Sequence, residues 1–138
     1  MLFAAYGVTE PNAGSDVAAL QATTVRKRDH CVINVEKMWI TNVGKTKWGF
    51  VLAKTDPSAG NQGMTGVIVD ADAPGITLGR KEWNIGRRTS DTRGVKFKDV
   101  VVPVENQLSE GEQGFEIAMK AFEMTLPLVT VYAFGLAR

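Results

Sequence analysis

The feature that most constrains this chain is the close spacing of short β-branched and aromatic runs between residues 21 and 103, each closed by a turn signal. Residues 21–27 are rich in β-branched side chains, Arg28-Asp29-His30 reads as a turn, and Cys31-Val32-Ile33-Asn34 reads as the hairpin partner. Asn34-Val35 then leads into a strand over residues 37–41. Trp48-Gly49-Phe50-Val51-Leu52-Ala53-Lys54 is apolar on both parities, which predicts a strand covered on both faces. Thr55 to Gly63 collects Asp-Pro, Ser, Gly and Asn, the composition of an exposed loop. Further strands follow at 65–70 and 76–80, separated by Ala73-Pro74-Gly75. Val95-Lys96-Phe97-Lys98 alternates between buried and wet parities, and Val100-Val101-Val102 extends it to Pro103. The spacing predicts a mainly β fold, a two-sheet antiparallel sandwich or barrel.

From Gly114 the period changes. Phe115, Ala118, Met119 and Phe122 recur at helical spacing, so residues 114–124 read as an amphipathic helix. Pro127 suits the first turn of a second helix, with Thr125 as its cap, and that helix is cut off at Arg138. The chain therefore divides into a β-domain over 1–110 and a truncated pair of helices over 111–138. Its 138 residues are enough for one core, and 44% hydrophobic with 22% charged residues is an ordinary soluble globular composition. A net charge of +1 gives no electrostatic reason to expect nucleic acid or an anionic membrane as partner. No run approaches the roughly 18 apolar residues of a membrane span, and the start lacks the basic flank of a targeting segment. The single cysteine, Cys31, cannot form an internal disulfide, and with no second Cys and only the adjacent His30 beside it, metal and nucleophile readings of it are poor. His30 falls in a turn and reads as solvent-exposed. The arginine-rich run from Arg87 to Arg93 suits phosphate contact or a solvated loop with internal ion pairs.

Two motifs carry more specific chemistry. Tyr6-Gly7-Val8-Thr9-Glu10-Pro11-Asn12-Ala13-Gly14-Ser15-Asp16 follows a short apolar strand over residues 2–5 and must turn sharply between Pro11 and Gly14. Its amides and the hydroxyls of Thr9 and Ser15 could bind a flat heterocycle or a diphosphate; a turn with an Asx or Ser cap explains the same residues. Ser15-Asp16 reads as the cap of a single helical turn at Val17-Ala18-Ala19-Leu20. In Lys37-Met38-Trp39-Ile40-Thr41-Asn42, alternation places Trp39 and Thr41 on one face. The two motifs, in this order and spacing, resemble the acyl-CoA dehydrogenase flavoproteins. Arg80-Lys81-Glu82, Ser90-Asp91-Thr92-Arg93-Gly94 and Gly114-Phe115 look most like the medium-chain type.

The resemblance implies a middle β-domain followed by the beginning of a helical domain. It implies FAD as cofactor, a fatty acyl-CoA thioester as substrate, and α,β-dehydrogenation within fatty acid β-oxidation. By resemblance, electron-transfer flavoprotein would take the electrons, and the assembly would be a homo-oligomer. The location would be the mitochondrial matrix in a eukaryote and the cytoplasm otherwise. Residue by residue, Tyr6, Val8, Thr9, Gly14, Ser15, Trp39, Ile40 and Thr41 would contact the flavin cofactor. Ser15, Asn61, Glu123, Met124 and Thr125 would contact the acyl-CoA. By the same resemblance no catalytic base and no metal ligand would fall within the chain, and the base would be a glutamate beyond Arg138. The sequence departs from the family pattern at Val35, where glycine is usual in a turn, at Lys120, where a small residue is usual, and at Leu126, where arginine is usual. A non-catalytic truncated paralogue, kept as a binding or interaction module, is the alternative reading.

Overall fold

The computed structural model describes residues 3–108 and 113–137. Leu2, Arg138 and the expected domain boundary between residues 110 and 111 lie outside them. The described strands are β1 (Phe3–Gly7), β2 (Thr23–Arg26), β3 (His30–Thr41), β4 (Thr46–Lys54), β5 (Met64–Asp70), β6 (Ile76–Lys81) and β7 (Thr92–Pro103), followed by one helix, α1 (Gly114–Ala137). The mainly β class holds, but the strands form a single curled, mixed seven-stranded sheet. The two antiparallel sheets expected from the spacing are not separate. The difference originates in β1, which lies parallel to β4, so that the β2–β3 hairpin serves as the crossover between them. β4 is the hub: β1 pairs along one side, β5 runs antiparallel along the other, and β2 joins at Lys54.

That central position explains the apolar run in β4, where residues 50–53 are all buried. Val51 faces the concave core with Ile33, Val67, Val95 and Phe97. Phe50 and Leu52 face the other way, toward Val8, Leu20, Met64 and Ala118 of α1. The expectation of a strand covered on both faces is met.

β3 runs straight through Asn34 and Val35, so the turn that the family pattern implies there is absent. The irregularity belongs to β7 instead. Ile33 pairs with Val100 and Val35 with Phe97, which leaves an extra residue on β7. The left-handed backbone falls on Asp99, at φ 52°, a residue type that tolerates it better than valine. Asn34 brackets this bulge: its Nδ2 donates to Asp99 Oδ1 at 3.2 Å, and its Oδ1 accepts from the Asp99 amide at 2.9 Å. Val35 therefore carries no turn strain.

α1 is likewise continuous where two helices were expected. The Thr125 hydroxyl does not cap a new helix; it donates backward to the carbonyls of Ala121 at 3.1 Å and Phe122 at 3.0 Å, the back-bonding geometry of a mid-helix threonine. Pro127 sits inside the helix, where it removes one amide donor without ending the element. Residues 17–19 form a 3-10 turn, as the sequence suggested, but Asp16 makes no side-chain cap bond to it.

α1 spans 24 residues with mean hydropathy 1.3 in its most apolar window, long and apolar enough to cross a membrane by length and composition alone. Counting consecutive apolar residues did not anticipate this, because Lys120 and Glu123 interrupt the run. The first turns of α1 pack on the sheet, with Gly114 and Ala118 buried. Beyond Phe122 every described residue of the helix is exposed.

The β3–β4 connection is held from outside by Asp91. Its Oδ2 accepts the Gly44 amide at 2.7 Å, its Oδ1 accepts Arg93 Nε at 2.8 Å, and its carbonyl accepts the Asn42 amide at 2.6 Å. Burial alone would raise the Asp91 carboxyl pKa, but the Arg93 guanidinium, the Gly44 amide and the charge of Lys45 together hold it below the ordinary carboxylate range. A depressed folded-state pKa contributes stability that is complete above the unfolded value of about 3.9 and is lost as pH falls through the folded value. Urea melts should therefore show Asp91→Asn less stable than wild type at pH 7, with the gap narrowing below about pH 4. A gap that stays constant with pH would count against this linkage.

The seating of α1 gives a second test. A Cβ on Gly114 would lie 2.6 Å from backbone atoms of Thr65 and Gly66 in β5, and a strand backbone cannot move aside cheaply. Gly114→Ala should cost about 1–3 kcal/mol in chemical denaturation, as overpacking does. A neutral result would mean that the helix start is free to lift off β5.

Candidate functional site

The second sequence motif ends β3, and its geometry there is irregular. Lys37 pairs with Val95 but Ile40 pairs with Arg93, so β3 holds one residue more than β7 across this interval. Trp39 absorbs the excess at φ 55°. A left-handed backbone under a bulky side chain costs on the order of 1–3 kcal/mol, and such outliers gather at functional sites. The bulge sends Ile40 into the core, 3% exposed, and leaves the Trp39 ring 57% exposed. Trp39 and Thr41 share a face, as alternation suggested, and line one open cleft of about 390 Å³ with Asn84, Gly86, Arg87 and Thr92. The Thr41 hydroxyl makes no hydrogen bond to another described residue.

The first motif lies against this bulge. The Thr9 carbonyl accepts the Met38 amide at 3.0 Å, and reciprocal backbone bonds between Glu10 and Ala13, at 2.9 and 3.3 Å, close the turn over Pro11 and Asn12. Beneath it lies a buried ion pair. Lys37 Nζ, fully inaccessible, donates to Glu10 Oε1 at 2.8 Å and to the Val8 carbonyl at 2.9 Å. Glu10 also accepts the Gln21 amide at 2.6 Å on Oε2 and the Ala22 amide at 3.0 Å on Oε1. Burial pulls the Lys37 ammonium pKa down, and the Glu10 carboxylate opposes it.

The remaining expected residues occupy different settings. Val8 is buried, Thr9 half-buried, and Gly14 and Ser15 exposed, with open space beside the Gly14 α-carbon. The Tyr6 ring stacks on Phe50 at 4.9 Å and meets Phe122 edge-on at 5.3 Å. Its hydroxyl donates to the Ala118 carbonyl at 2.9 Å, and burial pushes its pKa up to about 12. Tyr6 thus anchors α1 to β1. Asn61 is exposed in the 3-10 segment Pro57–Gly63, which touches α1. Glu123 and Met124 are exposed on α1, and Thr125 spends its hydroxyl on its own helix. Leu126 is 59% exposed, and Lys120 pairs with Glu116 at 2.7 Å on the open face of α1.

His30 is half-buried rather than open, with Nδ1 2.7 Å from Asp29 Oδ1. Cys31 is buried. Within the arginine-rich loop Arg93 pairs with Asp91, and Arg88 lies 5.4 Å over the exposed ring of Trp83. Sequence reasoning assigned no role to Asn84 or Gly86, took Arg87 and Thr92 as part of a run suited to phosphate contact or a solvated loop, and did not find the Lys37–Glu10 pair. The pair left a signal: Lys37 falls on the inward parity of Cys31, Ile33 and Val35, where a charge requires a buried partner.

Comparison with known proteins converges on one family. Residues 5–100 match the acyl-CoA dehydrogenase middle domain. A probable medium-chain specific acyl-CoA dehydrogenase 2, mitochondrial, of Caenorhabditis briggsae is 48% identical over 139 residues, covering 99% of this chain and 34% of that protein. The structure of butyryl-CoA dehydrogenase from Megasphaera elsdenii superposes with a TM-score of 0.83 at 42% identity, over 86% of this chain and 31% of that one. PigA with FAD and proline gives 0.82 at 27% identity, over 86% of this chain and 31% of PigA. The chain spans about a third of the length of the curated relatives it matches. With its motifs at the end of β3 and in the loop after β1, in the fold of the middle domain, the chain belongs to the acyl-CoA dehydrogenase family.

Proposed function

We propose that this chain supplies the middle-domain part of an FAD-dependent acyl-CoA dehydrogenase, with residues 1–110 as the β-domain and 111–138 opening the helical domain. The reaction would be α,β-dehydrogenation of a fatty acyl-CoA in β-oxidation, with electrons passed to electron-transfer flavoprotein. The setting would be the mitochondrial matrix of a eukaryote or the cytoplasm of a bacterium.

The observation that carries this reading is the strained bulge presenting Trp39 and the Thr41 hydroxyl, which has no hydrogen-bond partner among the described residues, side by side on an open cleft. An aromatic wall beside a free donor suits a planar heterocycle with a polar edge. FAD, when bound, supplies the hydride acceptor. Trp39 would pack along its ring system, the Ile40 backbone would follow its edge, and Thr41 would donate to it. Val8, Thr9, Gly14 and Ser15 would extend that surface along the loop after β1. Tyr6 adds only what its half-buried ring leaves open. Ser15, Asn61, Glu123, Met124 and Thr125 would form the acyl-CoA side, with Thr125 contributing through its methyl group and backbone.

Neither Glu10 nor Glu123 is set to act as base for the α proton. Glu10 is buried and already accepts from Lys37, Gln21 and Ala22. Glu123 lies open on α1. A positioned base is worth about 10²–10⁴-fold, so the isolated chain should not oxidise an acyl-CoA even with FAD present.

Titrating the chain with FAD while following amide and indole NMR signals tests the reading. Shifts should concentrate at residues 39–41 and 84–87 and weaken strongly in Thr41→Val and Trp39→Ala. No shift at these positions with millimolar FAD would overturn it. In a separate anaerobic assay, octanoyl-CoA should fail to bleach FAD added to the chain. Bleaching at the rate of a complete dehydrogenase would show that the chain carries a base of its own.

A further inference from the structure

We propose that Lys37 and Glu10 are positioning residues of the candidate flavin surface: their buried ion pair locks the Trp39–Thr41 bulge to the loop after β1. The inference rests on the reading of that cleft given above. Its basis is the concentration of bonds at one point. Lys37 Nζ holds the Val8 carbonyl and the Glu10 carboxylate from beneath, at 2.9 and 2.8 Å. One residue further along β3, the Met38 amide holds the Thr9 carbonyl at 3.0 Å. Val8, Thr9 and Glu10 are thus each fixed to Lys37 or Met38, and the bulge begins at the next residue. On its other side Glu10 holds the amides of Gln21 and Ala22 at 2.6 and 3.0 Å. The carboxylate therefore ties the loop to the approach to β2 as well as to β3.

This arrangement exceeds what packing alone would require. The Lys37 side chain lies on the inward parity of β3, where the neighbouring inward residues are apolar. A methionine would fill similar volume without burying an ion, and such replacements are frequently neutral or stabilising when the whole pair is removed. A methionine could not hold the Val8 carbonyl, however, nor fix the Glu10 carboxylate. The ammonium supplies direction: its donors set where the loop stands relative to the strand. The expected cofactor contacts Val8, Thr9, Trp39, Ile40 and Thr41 all lie within two residues of Glu10 or four of Lys37. A shift of the loop against β3 would move both halves of the surface relative to each other, and displacements of about 1 Å are enough to cost 10²-fold in a positioned site.

The test compares Lys37→Met, Glu10→Gln and the double variant with Gly114→Ala, which loosens the fold at the contact of α1 with β5. Two readouts are taken well below each variant's melting temperature. The first, on the protein without flavin, is the set of amide shifts of residues 8–10 and 38–41, with the HN–Hα coupling of Trp39. The second is FAD affinity by the same NMR titration. Both single variants should displace these signals and weaken FAD binding at least tenfold. The double variant should recover stability toward wild type without recovering either readout. Gly114→Ala should lower stability and leave both readouts unchanged. If Lys37→Met does not fold, Glu10→Gln, which keeps the shape and loses the charge, decides the question alone. Wild-type shifts at 38–41 in the folded single variants would overturn the proposal and reduce the pair to a structural contact. If wild-type protein fails to bind FAD, the flavin reading falls, while the flavin-free shifts still report whether the pair sets the bulge.

Discussion

A charged lysine sealed inside a sheet of this size sets terms for everything around it. The effective cost of taking an ion out of water is still several kcal/mol after relaxation. Lys37 is fully buried, so the chain must bring it an acid and further acceptors or leave it unsatisfied. Glu10 and the Val8 carbonyl meet that demand, and they can do so only if the chain after β1 folds back across the end of β3. That return places the loop in the core on the α1 side of β4, where Val8 and Ala13 pack with Leu20, Ala22 and Phe50. β1, the loop and the end of β3 are consequently parts of one arrangement, and none can be moved without stranding a charge.

Register slips give the sheet its functional shape. Two extra residues, one on β7 at Asp99 and one on β3 at Trp39, lie on opposite strands of the same pair. A bulge bends its own strand and increases the local twist, so slips on alternate strands curl the pair without displacing its apolar residues from the core. Val95, Phe97, Val100 and Val102 all remain inside despite the change in their spacing. The slip at Asp99 is secured by Asn34. The slip at Trp39 is held from its flank, by the backbone bond from Met38 to the loop and by the Lys37 ammonium on Val8 and Glu10.

Much of this could be read before any coordinates. The β2–β3 hairpin, the doubly covered β4, the alternation of β7 and the start of α1 at Gly114 follow from residue patterns whose physical causes are local. What the pattern missed was decided by partners distant in sequence. Val35 resembles a turn residue only until β7 pairs opposite it, and Thr125 resembles a helix cap only while Pro127 is taken as a start. Parallel pairing of β1 with β4 leaves no mark in either strand alone. In the candidate site, Trp39 and Thr41 were legible because they share a strand and a face. Asn84, Arg87 and Thr92 were not, since β7 and the loop before it reach the cleft only through the tertiary fold. Lys37 and Glu10 stood in plain view within both motifs, yet their pairing across 27 residues required the structure to reveal it.

The anchorage of α1 has a consequence for how the molecule opens. Tyr6 grips the helix at Ala118 and Phe122, and beyond that point its side chains meet solvent. The outer half, interrupted at Pro127, is short for an isolated helix, since segments under about 12–15 residues are marginal in water. The two halves therefore belong to different cooperative units. Amides in the first turns will exchange with solvent only when the sheet itself opens. Those beyond Pro127 will exchange by fraying, on the schedule of a free peptide, unless another surface covers them.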